Sequence, residues 1–522
     1  MVVRDFTREF AARGYLGIMS ESGQTEAGRR AKLPLVSLDS AHCYEVVKAR
    51  DARFDGVFFV GVSTTGVYCR PVCRVRTPGR DRCSFYANAA SAEAAGYRPC
   101  LRCRPELAPG AAPADAVQRV ANIAVARIEA GALSGASVEA LARELGVSSR
   151  QLHRVVEAEY GVSPLALAQT QRLLLAKQLL TDTSLRVIDV AFGSGFSSVR
   201  QFNRLFREAY RLNPLALRKQ RVGKGEVENK GQSQQILLKL GFRPPLAWPA
   251  LIGFLTGRAG LRTEKIISNS YLRTVRLGQH RGFILVQPLG PSLLGVQVAS
   301  SLLPVLPELR ARLRRLFDLG ANPSAIESCL RRQPELRTFV KRTPGLRVPG
   351  ALSGFELALR AVLGQQISVK AATTIFGRFV ETFGSKVETP DPDVDRIAPD
   401  AADLANANLQ QLIDRGLTQK RAETVRALAR ATADGAVKLE PPVDFATMRG
   451  LLQELPGIGP WTAEYIAMRA LGDPDAFPSS DLGLLNALKL EKPAALQGMS
   501  EAWRPFRAYA ALHLWHGSSA GG

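Results

Sequence analysis

A multidomain chain, mainly α with α+β parts, is predicted by three observations. Two close cysteine pairs stand within residues 38–109, and an all-helical pattern with an internal repeat fills 110–220. From about 236, strand-like alternation gives way to helical periodicity that continues to 517. The expected order is a tail at 1–37, a small zinc-bound α+β domain at 38–109, an all-α domain at 110–220, a linker at 221–235, and a domain at 236–517 that opens α+β and continues all-α. A chain of 522 residues has room for this many separate cores.

Charge narrows the partners. The chain carries 69 Lys and Arg against 47 Asp and Glu, a net charge of +22, far more than solubility requires, and this points to a polyanion. Nucleic acid fits better than a membrane, because no apolar run is long enough to span a bilayer. The first fifteen residues, MVVRDFTREFAARGY, lack the apolar core of a secretory signal, so the chain is expected in the cytoplasm; it is further expected to be nucleoid-associated and a monomer. Residues 1–37 mix charge with Gly and Ser and show no sustained period; they read as a tail, with Met19 as an alternative start. In a reducing compartment, seven cysteines are metal ligands or reactive thiols sooner than disulfides.

Six of those cysteines fall in the first domain, four of them as Cys69-x3-Cys73 and Cys100-x2-Cys103. A close pair lets two sulfurs from one turn reach one ion, and two pairs complete a tetrahedral thiolate site, so one zinc ion is predicted and Cys43 and Cys83 are bystanders. Around the sulfurs lie Thr64, Thr65 and four arginines, Arg70, Arg74, Arg76 and Arg98, a composition suited to phosphate. A purely structural zinc site is the alternative reading. These residues, with Ser84-Phe85-Tyr86-Ala87-Asn88 and Gly96-Tyr97-Arg98-Pro99-Cys100, resemble the methylphosphotriester zinc domain of the Ada adaptive-response family over about 70 residues. The resemblance implies that Cys69 accepts a methyl group from a methylated DNA phosphate, with Cys73, Cys100 and Cys103 as the other ligands. Four thiolates on one zinc carry a net charge of −2, and methylating one leaves −1, which lessens repulsion from DNA. Zinc would thus be both structural and thiolate-activating.

In the next segment Leu141-Ala-Arg-Glu-Leu-Gly146-Val-Ser-Ser149 recurs as Val190-Ala-Phe-Gly-Ser-Gly195-Phe-Ser-Ser198, and each copy closes on Pro-Leu-Ala-Leu, at Pro164 and at Pro214. A small residue four positions before a glycine, then an amphipathic helix, is a helix-turn-helix pattern. The second helix of each copy carries Arg150, Gln151 and Arg154, or Arg200, Gln201, Asn203 and Arg204, as candidates for a major groove. A bundle with merely solvated faces is the alternative. Two copies joined by a long helix, about 165–180, resemble the AraC-type DNA-binding domain; the resemblance implies a sequence-specific transcription regulator, with promoter DNA and RNA polymerase as partners.

In the last segment, strand-like runs at 236–242, 271–277, 282–288 and 294–298, with one helix at 248–258, precede helices that run to the end from about 304. Cys329, alone there, is expected in the core. The stretch that organises this half is LPGIGPWTAEYIAMRALGDPDAFPSSD, residues 455–481. Pro456 stops one helix, Gly457 and Gly459 allow close backbone approach, and the apolar spacing after Trp461 starts another helix, giving a hairpin whose amides can meet a phosphate. An ordinary helix–helix connection reads the same way. Gln365 and Gln366 sit at a helix break where side chains could enter a duplex; Trp461, Tyr465 and Trp515 add aromatic faces. Asp481 follows a Pro/Ser turn, where it could equally cap a helix.

Together with Gly253-Phe254, residues 314–319, Leu363-Gly364-Gln365 and residues 511–515, this half resembles the helix-hairpin-helix DNA glycosylases, most closely the AlkA-type DNA-3-methyladenine glycosylases II, over roughly 237–516. The resemblance implies that damaged duplex DNA is the substrate, that Asp481 is the catalytic carboxylate, that Phe254, Trp461, Tyr465 and Trp515 line the base pocket, and that Gly457 and Gly459 grip DNA. Gln366 occupies the family's wedge position, which is apolar in AlkA-type enzymes. Lyase-type relatives carry a lysine where this chain has Trp461, so hydrolysis alone is expected. No cysteine follows Cys329, so no C-terminal iron–sulfur cluster is expected. The five histidines show no ligand spacing, and no Pro-Cys-His-Arg methyltransferase motif is present. The rival reading from another class is a regulator whose glycosylase half only binds damaged DNA.

Overall fold

The computed structural model describes residues 39–110, 120–222, 235–441 and 443–519. The predicted tail and nearly all of the predicted linker lie outside them.

The cysteine-rich segment folds as a four-stranded sheet in the order β3-β1-β2-β4, made of β1 (Phe59–Val62), β2 (Val67–Cys69), β3 (Cys83–Tyr86) and β4 (Arg98–Pro99). β1 pairs antiparallel with β2 and β3, whereas β4 lies parallel to β2. This register puts Cys69 at the end of one strand and Cys100 just past the end of its parallel neighbour, with the Cys100 amide donating to the Tyr68 carbonyl at 3.0 Å. Both cysteine pairs therefore meet at one end of the sheet.

The repeat is two helix-turn-helix units about the helix Pro164–Asp182. The candidate recognition helices are Ser149–Tyr160, capped by Ser148, and Val199–Tyr210, capped by Ser198. Gly146 and Gly195 both have positive φ, so the second turn is one residue longer than the first. That insertion corrects the repeat register: Ser148, not Ser149, matches Ser198, and Arg150 and Arg154 then pair in position with Arg200 and Arg204.

The second half opens with an antiparallel five-stranded sheet ordered β5-β9-β8-β7-β6, made of β5 (Gln235–Gly241), β6 (Glu264–Ile267), β7 (Ser270–Leu277), β8 (His280–Gly290) and β9 (Leu293–Ala299). Four strands match the predicted runs. β6 was not predicted: it is a four-residue edge strand with no clean alternation, fixed by pairing with β7. The helical remainder is interrupted by a short ladder, Ser385–Lys386 with Arg396–Ile397, another departure from the expected pattern. The helix predicted at 248–258 spans Trp248–Thr256.

The halves are not beads on a linker. One apolar cluster joins Leu179, Phe202, Phe206 and Leu217 of the helix-turn-helix region to Leu238, Val286, Val296 and Leu309 of the sheet region. Polar contacts bind the zinc-ligand segment to both. Lys177 donates to the Cys100 carbonyl at 3.1 Å and to Glu106 at 2.6 Å; Arg104 pairs with Asp182 at 2.7 Å, and Asp182 accepts from Lys239 of β5 at 3.0 Å. Among the described residues no helix is long and apolar enough to cross a membrane.

Candidate metal centre and base-excision site

Cys69, Cys73, Cys100 and Cys103 are brought together with one sulfur each, all within 4.8 Å of one another. Tetrahedral zinc with Zn–S bonds near 2.3 Å needs sulfurs roughly 3.8 Å apart, so the cluster fits that ion. Two backbone amides reinforce it, Arg70 to Cys103 Sγ and Arg102 to Cys100 Sγ, each at 3.4 Å. Cys43 and Cys83 stand outside the cluster, as predicted. Cys69 is only 5% exposed, and Cys103 is the most open of the four. Arg70 departs from the predicted phosphate surface: its guanidinium is paired with Asp55 and donates to the Cys103 carbonyl at 3.1 Å. Thr65, Arg74 and Arg76 are exposed, and Arg98 is half-buried.

On the repeat, Arg150, Arg154, Arg200 and Arg204 are all exposed on the faces opposite Leu152 and Val156, or Phe202 and Phe206. Arg204 also pairs with Glu208 at 3.1 Å, a solvent-screened contact that a phosphate could replace.

In the second half the hairpin is present. The helix Phe445–Glu454 ends before Pro456, and the next, Pro460–Ile466, begins from Gly459 as N-cap and widens into a π-turn, Ala467–Leu471. The two glycines differ. Gly457 has φ +80°, and a Cβ there would lie 2.2 Å from Thr424 Oγ1, so the fold itself demands glycine. A Cβ on Gly459 would meet nothing within 4 Å, so nothing inside the chain demands glycine there. Gln365 corrects an expectation: its amide nitrogen is turned inward, donating to the Gly457 carbonyl at 2.9 Å and Thr462 Oγ1 at 3.0 Å, so it ties the hairpin down instead of entering a duplex. Gln366 is exposed at φ +59°.

Asp481 is indeed a helix cap, with Oδ1 accepting from the Leu484 amide at 3.0 Å. The same carboxylate also accepts from two indoles, Trp515 Nε1 on Oδ1 and Trp461 Nε1 on Oδ2, both at 2.9 Å. Three donors from three elements fix its plane. Gly483 leaves the space beside it open, since a Cβ there would come within 3.0 Å of Asp481 Oδ1 and 3.4 Å of Trp515 Cδ1. Trp461 stacks on Tyr465 at 5.3 Å and 7°, and Tyr465 meets Trp515 at 6.3 Å and 57°.

Two arginines among these rings escaped the sequence reading. Arg258 stands 3.8 Å from the Phe254 ring centre and Arg469 4.8 Å from it, so Phe254 is not an open wall. Arg469 also donates to the Tyr465 hydroxyl at 2.9 Å. Burial alone would raise the Tyr465 phenol; the guanidiniums of Arg469, Arg258 and Arg360 outweigh it and bring its pKa below the ordinary value. Each of the two arginines follows its aromatic by four residues, a spacing that could have flagged them. Cys329, expected in the core, is only half-buried against it, with its thiol facing the Arg504 carbonyl at 3.7 Å.

Four family profiles match the chain: the metal binding domain of Ada at 42–106, a helix-turn-helix domain at 141–220, the AlkA N-terminal domain at 237–353, and the HhH-GPD superfamily of base excision DNA repair proteins at 359–492. The "Probable bifunctional transcriptional activator/DNA repair enzyme AlkA" of Mycobacterium tuberculosis is 41% identical over 481 residues, covering 91% of this chain and 96% of that one. The DNA-3-methyladenine glycosylase 2 of Escherichia coli is 34% identical over 278 residues, 53% of this chain and 96% of that one. The bifunctional transcriptional activator/DNA repair enzyme Ada of Escherichia coli is 42% identical over 130 residues, 25% of this chain and 35% of that one. The near end-to-end match with the mycobacterial protein, together with the four-cysteine centre and the hairpin, means that this chain belongs to the family of bifunctional transcriptional activator/DNA repair proteins that join Ada-type metal-binding and helix-turn-helix domains to an AlkA-type glycosylase.

Proposed function

We propose that the chain hydrolytically excises alkylated purines of the 3-methyladenine and 7-methylguanine type from duplex DNA, and that its front half is a methylphosphotriester sensor and sequence-specific transcription regulator. The observation that carries the first part is Asp481, held by two indoles and an amide beside the aromatic group and the hairpin. A base must leave the stack before its glycosidic bond is reachable, at a cost of about a few kcal/mol. The hairpin grips the backbone while it does so, with Gln366 at the wedge position. As the bond from C1′ to the base nitrogen breaks, the electron pair leaves with the base and the sugar becomes oxocarbenium-like. The Asp481 carboxylate stabilises that charge and orients the water whose oxygen bonds to C1′. Trp461, where lyase-type relatives carry a lysine, cannot form a Schiff base, so the reaction stops at the abasic site.

In the front half, one bound zinc ion would keep the four thiols deprotonated. A sulfur, Cys69 on the family resemblance, attacks the methyl carbon of a phosphotriester; the S–C bond forms, the C–O bond breaks, and an anionic phosphodiester leaves. Thr65, Arg74, Arg76 and Arg98 would hold that phosphate, while Arg150, Arg154, Arg200 and Arg204 bind promoter DNA. The basic balance of the chain supports this use, and the protein would act as a cytoplasmic, nucleoid-associated monomer that contacts RNA polymerase.

The test incubates methylated duplex with wild type, Asp481→Asn and Cys69→Ala, following released bases and protein mass. Wild type should release methylpurines and gain one methyl group on Cys69; Asp481→Asn should lose only the first activity and Cys69→Ala only the second. Release by Asp481→Asn at the wild-type rate would refute the catalytic assignment. A methyl group on Cys103, the more open sulfur, or on no cysteine would refute the acceptor. Damage binding without release by wild type would favour the rival reading.

A further inference from the structure

The last residues of the cysteine-rich module are pressed into the glycosylase half. A Cβ on Gly241, at the end of β5, would come within 2.0 Å of the Leu107 carbonyl oxygen, so the two backbones meet with no side chain between them. Three arginines of the glycosylase half donate to main-chain carbonyls across that seam. Arg243 reaches the carbonyls of Asp55, at 2.8 Å, and Gly110; Arg314 reaches that of Pro109, and Arg310 that of Glu106 at 3.3 Å. Arg243 also lies on an unbroken route between the two chemical centres. On the cysteine side, the Arg70 amide donates to Cys103 Sγ and its guanidinium pairs with the Asp55 carboxylate, while the Asp55 carbonyl is the one that Arg243 holds. On the other side, the Arg243 carbonyl accepts from Arg347 at 2.5 Å, and Arg347 donates to the Asp318 carbonyl at 3.3 Å. The Asp318 carboxylate accepts from the Tyr509 hydroxyl at 2.8 Å. Tyr509 belongs to the final helix, Arg507–Ser519, less than two turns before Trp515, whose indole fixes Asp481. Asp55, Arg243, Asp318, Arg347 and Tyr509 are all buried.

We infer that the four-cysteine centre is a supporting part of the glycosylase half: with zinc bound it fixes Asp55, and Arg243, a positioning residue, carries that constraint to the helix that brings Trp515 to Asp481. The part that concerns excision rests on the reading of Asp481 above; the part that concerns stability does not. A thiolate site of this kind folds around its ion, so the free energy of binding is free energy of folding. That free energy is not confined to the small module, because the Asp55 and Gly110 carbonyls cannot leave without stranding a buried guanidinium. Zinc bound on one side of the seam is then linked to stability on the other. Removing Cys69 alone leaves three thiolates, enough with a water to hold the ion, so Cys69→Ala keeps this support.

All four tryptophans, Trp248, Trp461, Trp503 and Trp515, lie in the glycosylase half, so their fluorescence follows that half alone. The full chain, loaded with zinc or stripped by a chelator, is melted with this readout, and single-turnover release of 7-methylguanine from a duplex is timed well below both midpoints. Stripping the wild type should lower the tryptophan midpoint by several degrees and slow release about tenfold, the scale of a displaced catalytic group. Arg243→Met should melt below wild type yet respond little to zinc. Asp55→Asn, which alters only the cysteine side of the seam, should also respond less while still binding zinc, as a metal-sensitive dye shows; it decides the matter should Arg243→Met not fold. Equal midpoints for loaded and stripped wild type overturn the inference, and so does a full zinc response in Asp55→Asn or Arg243→Met. A zinc-shifted midpoint with unchanged release overturns the link to Asp481. If loaded wild type releases no base, the excision reading fails, and the midpoints still decide whether zinc supports the glycosylase half.

Discussion

On the proposed excision, Asp481 would serve as both helix cap and catalytic carboxylate, and the two can be separated. Its bonds from Leu484 and Trp515 use Oδ1, which an asparagine oxygen can replace, but the amide nitrogen then faces the Trp461 indole N–H, so Asp481→Asn should cost about 1–2 kcal/mol of stability while excision falls by several orders of magnitude. The indole bonds from Trp461 and Trp515 orient the carboxylate. Trp461→Phe and Trp515→Phe keep an aromatic ring, though a smaller one, and delete the N–H, and each is expected to lower the single-turnover rate roughly tenfold or more, as the loss of one hydrogen bond to a charged group implies. Equal loss in affinity for intact DNA and in rate would argue that these rings only pack.

At the scale of the element, the hairpin gives a contrast between neighbouring glycines. Gly457→Ala forces a Cβ against Thr424 at a positive φ, so it should destabilise the fold by about 1–3 kcal/mol, read by chemical denaturation. Gly459→Ala meets nothing inside the chain and should leave stability nearly unchanged, yet weaken binding to any duplex, because only an external backbone needs that space. If Gly459→Ala binds DNA like wild type, the hairpin does not approach the phosphates there. Gln365→Ala should behave like Gly457→Ala in milder form, since it removes the two bonds that hold the hairpin to the preceding helix break.

For the whole molecule, the joints between modules carry buried charge. The Glu93 carboxyl, which accepts from Tyr68 at 3.0 Å and Thr170 at 2.6 Å, is pushed up to about 7 by burial, although those hydrogen bonds and Lys177 oppose the rise. Its folded pKa exceeds the unfolded value, so its favourable contribution is complete below about 4.5 and is lost as pH climbs through about 7. Denaturation midpoints of Glu93→Gln, compared with wild type across that window, should show a flatter pH dependence. Asp182, which joins Arg104 to Lys239, is held below the usual carboxylate range: burial acts against this, but Arg104 and Lys239 prevail. Asp182→Asn leaves Lys239 without its carboxylate and Arg104 with Glu106 as its remaining one, and should cost about 3 kcal/mol, seen as a lower melting temperature of the full chain.

The sequence by itself determined the chemistry-bearing spacings and the elements that carry them. Two cysteine pairs, a repeated helix-turn-helix phrase and a Gly-x-Gly turn before an aspartate are local patterns, set by what neighbouring residues permit, and four of the five strands of the second-half sheet followed from short-range alternation. Only the tertiary structure decided which role each ambiguous residue takes. Gln365 turns inward because Gly457 and Thr462 lie in reach, and Arg70 is consumed by Asp55. Phe254 receives Arg258 and Arg469 from its own helix end and from a helix more than 200 residues away in sequence. The edge strand β6 exists through its partner, and the apolar seam that fuses the regulator half to the sheet arises from residues on both sides of a segment that reads as a linker. Such pairings depend on distances that no local window contains, and there hydrogen-bond geometry and burial override propensity.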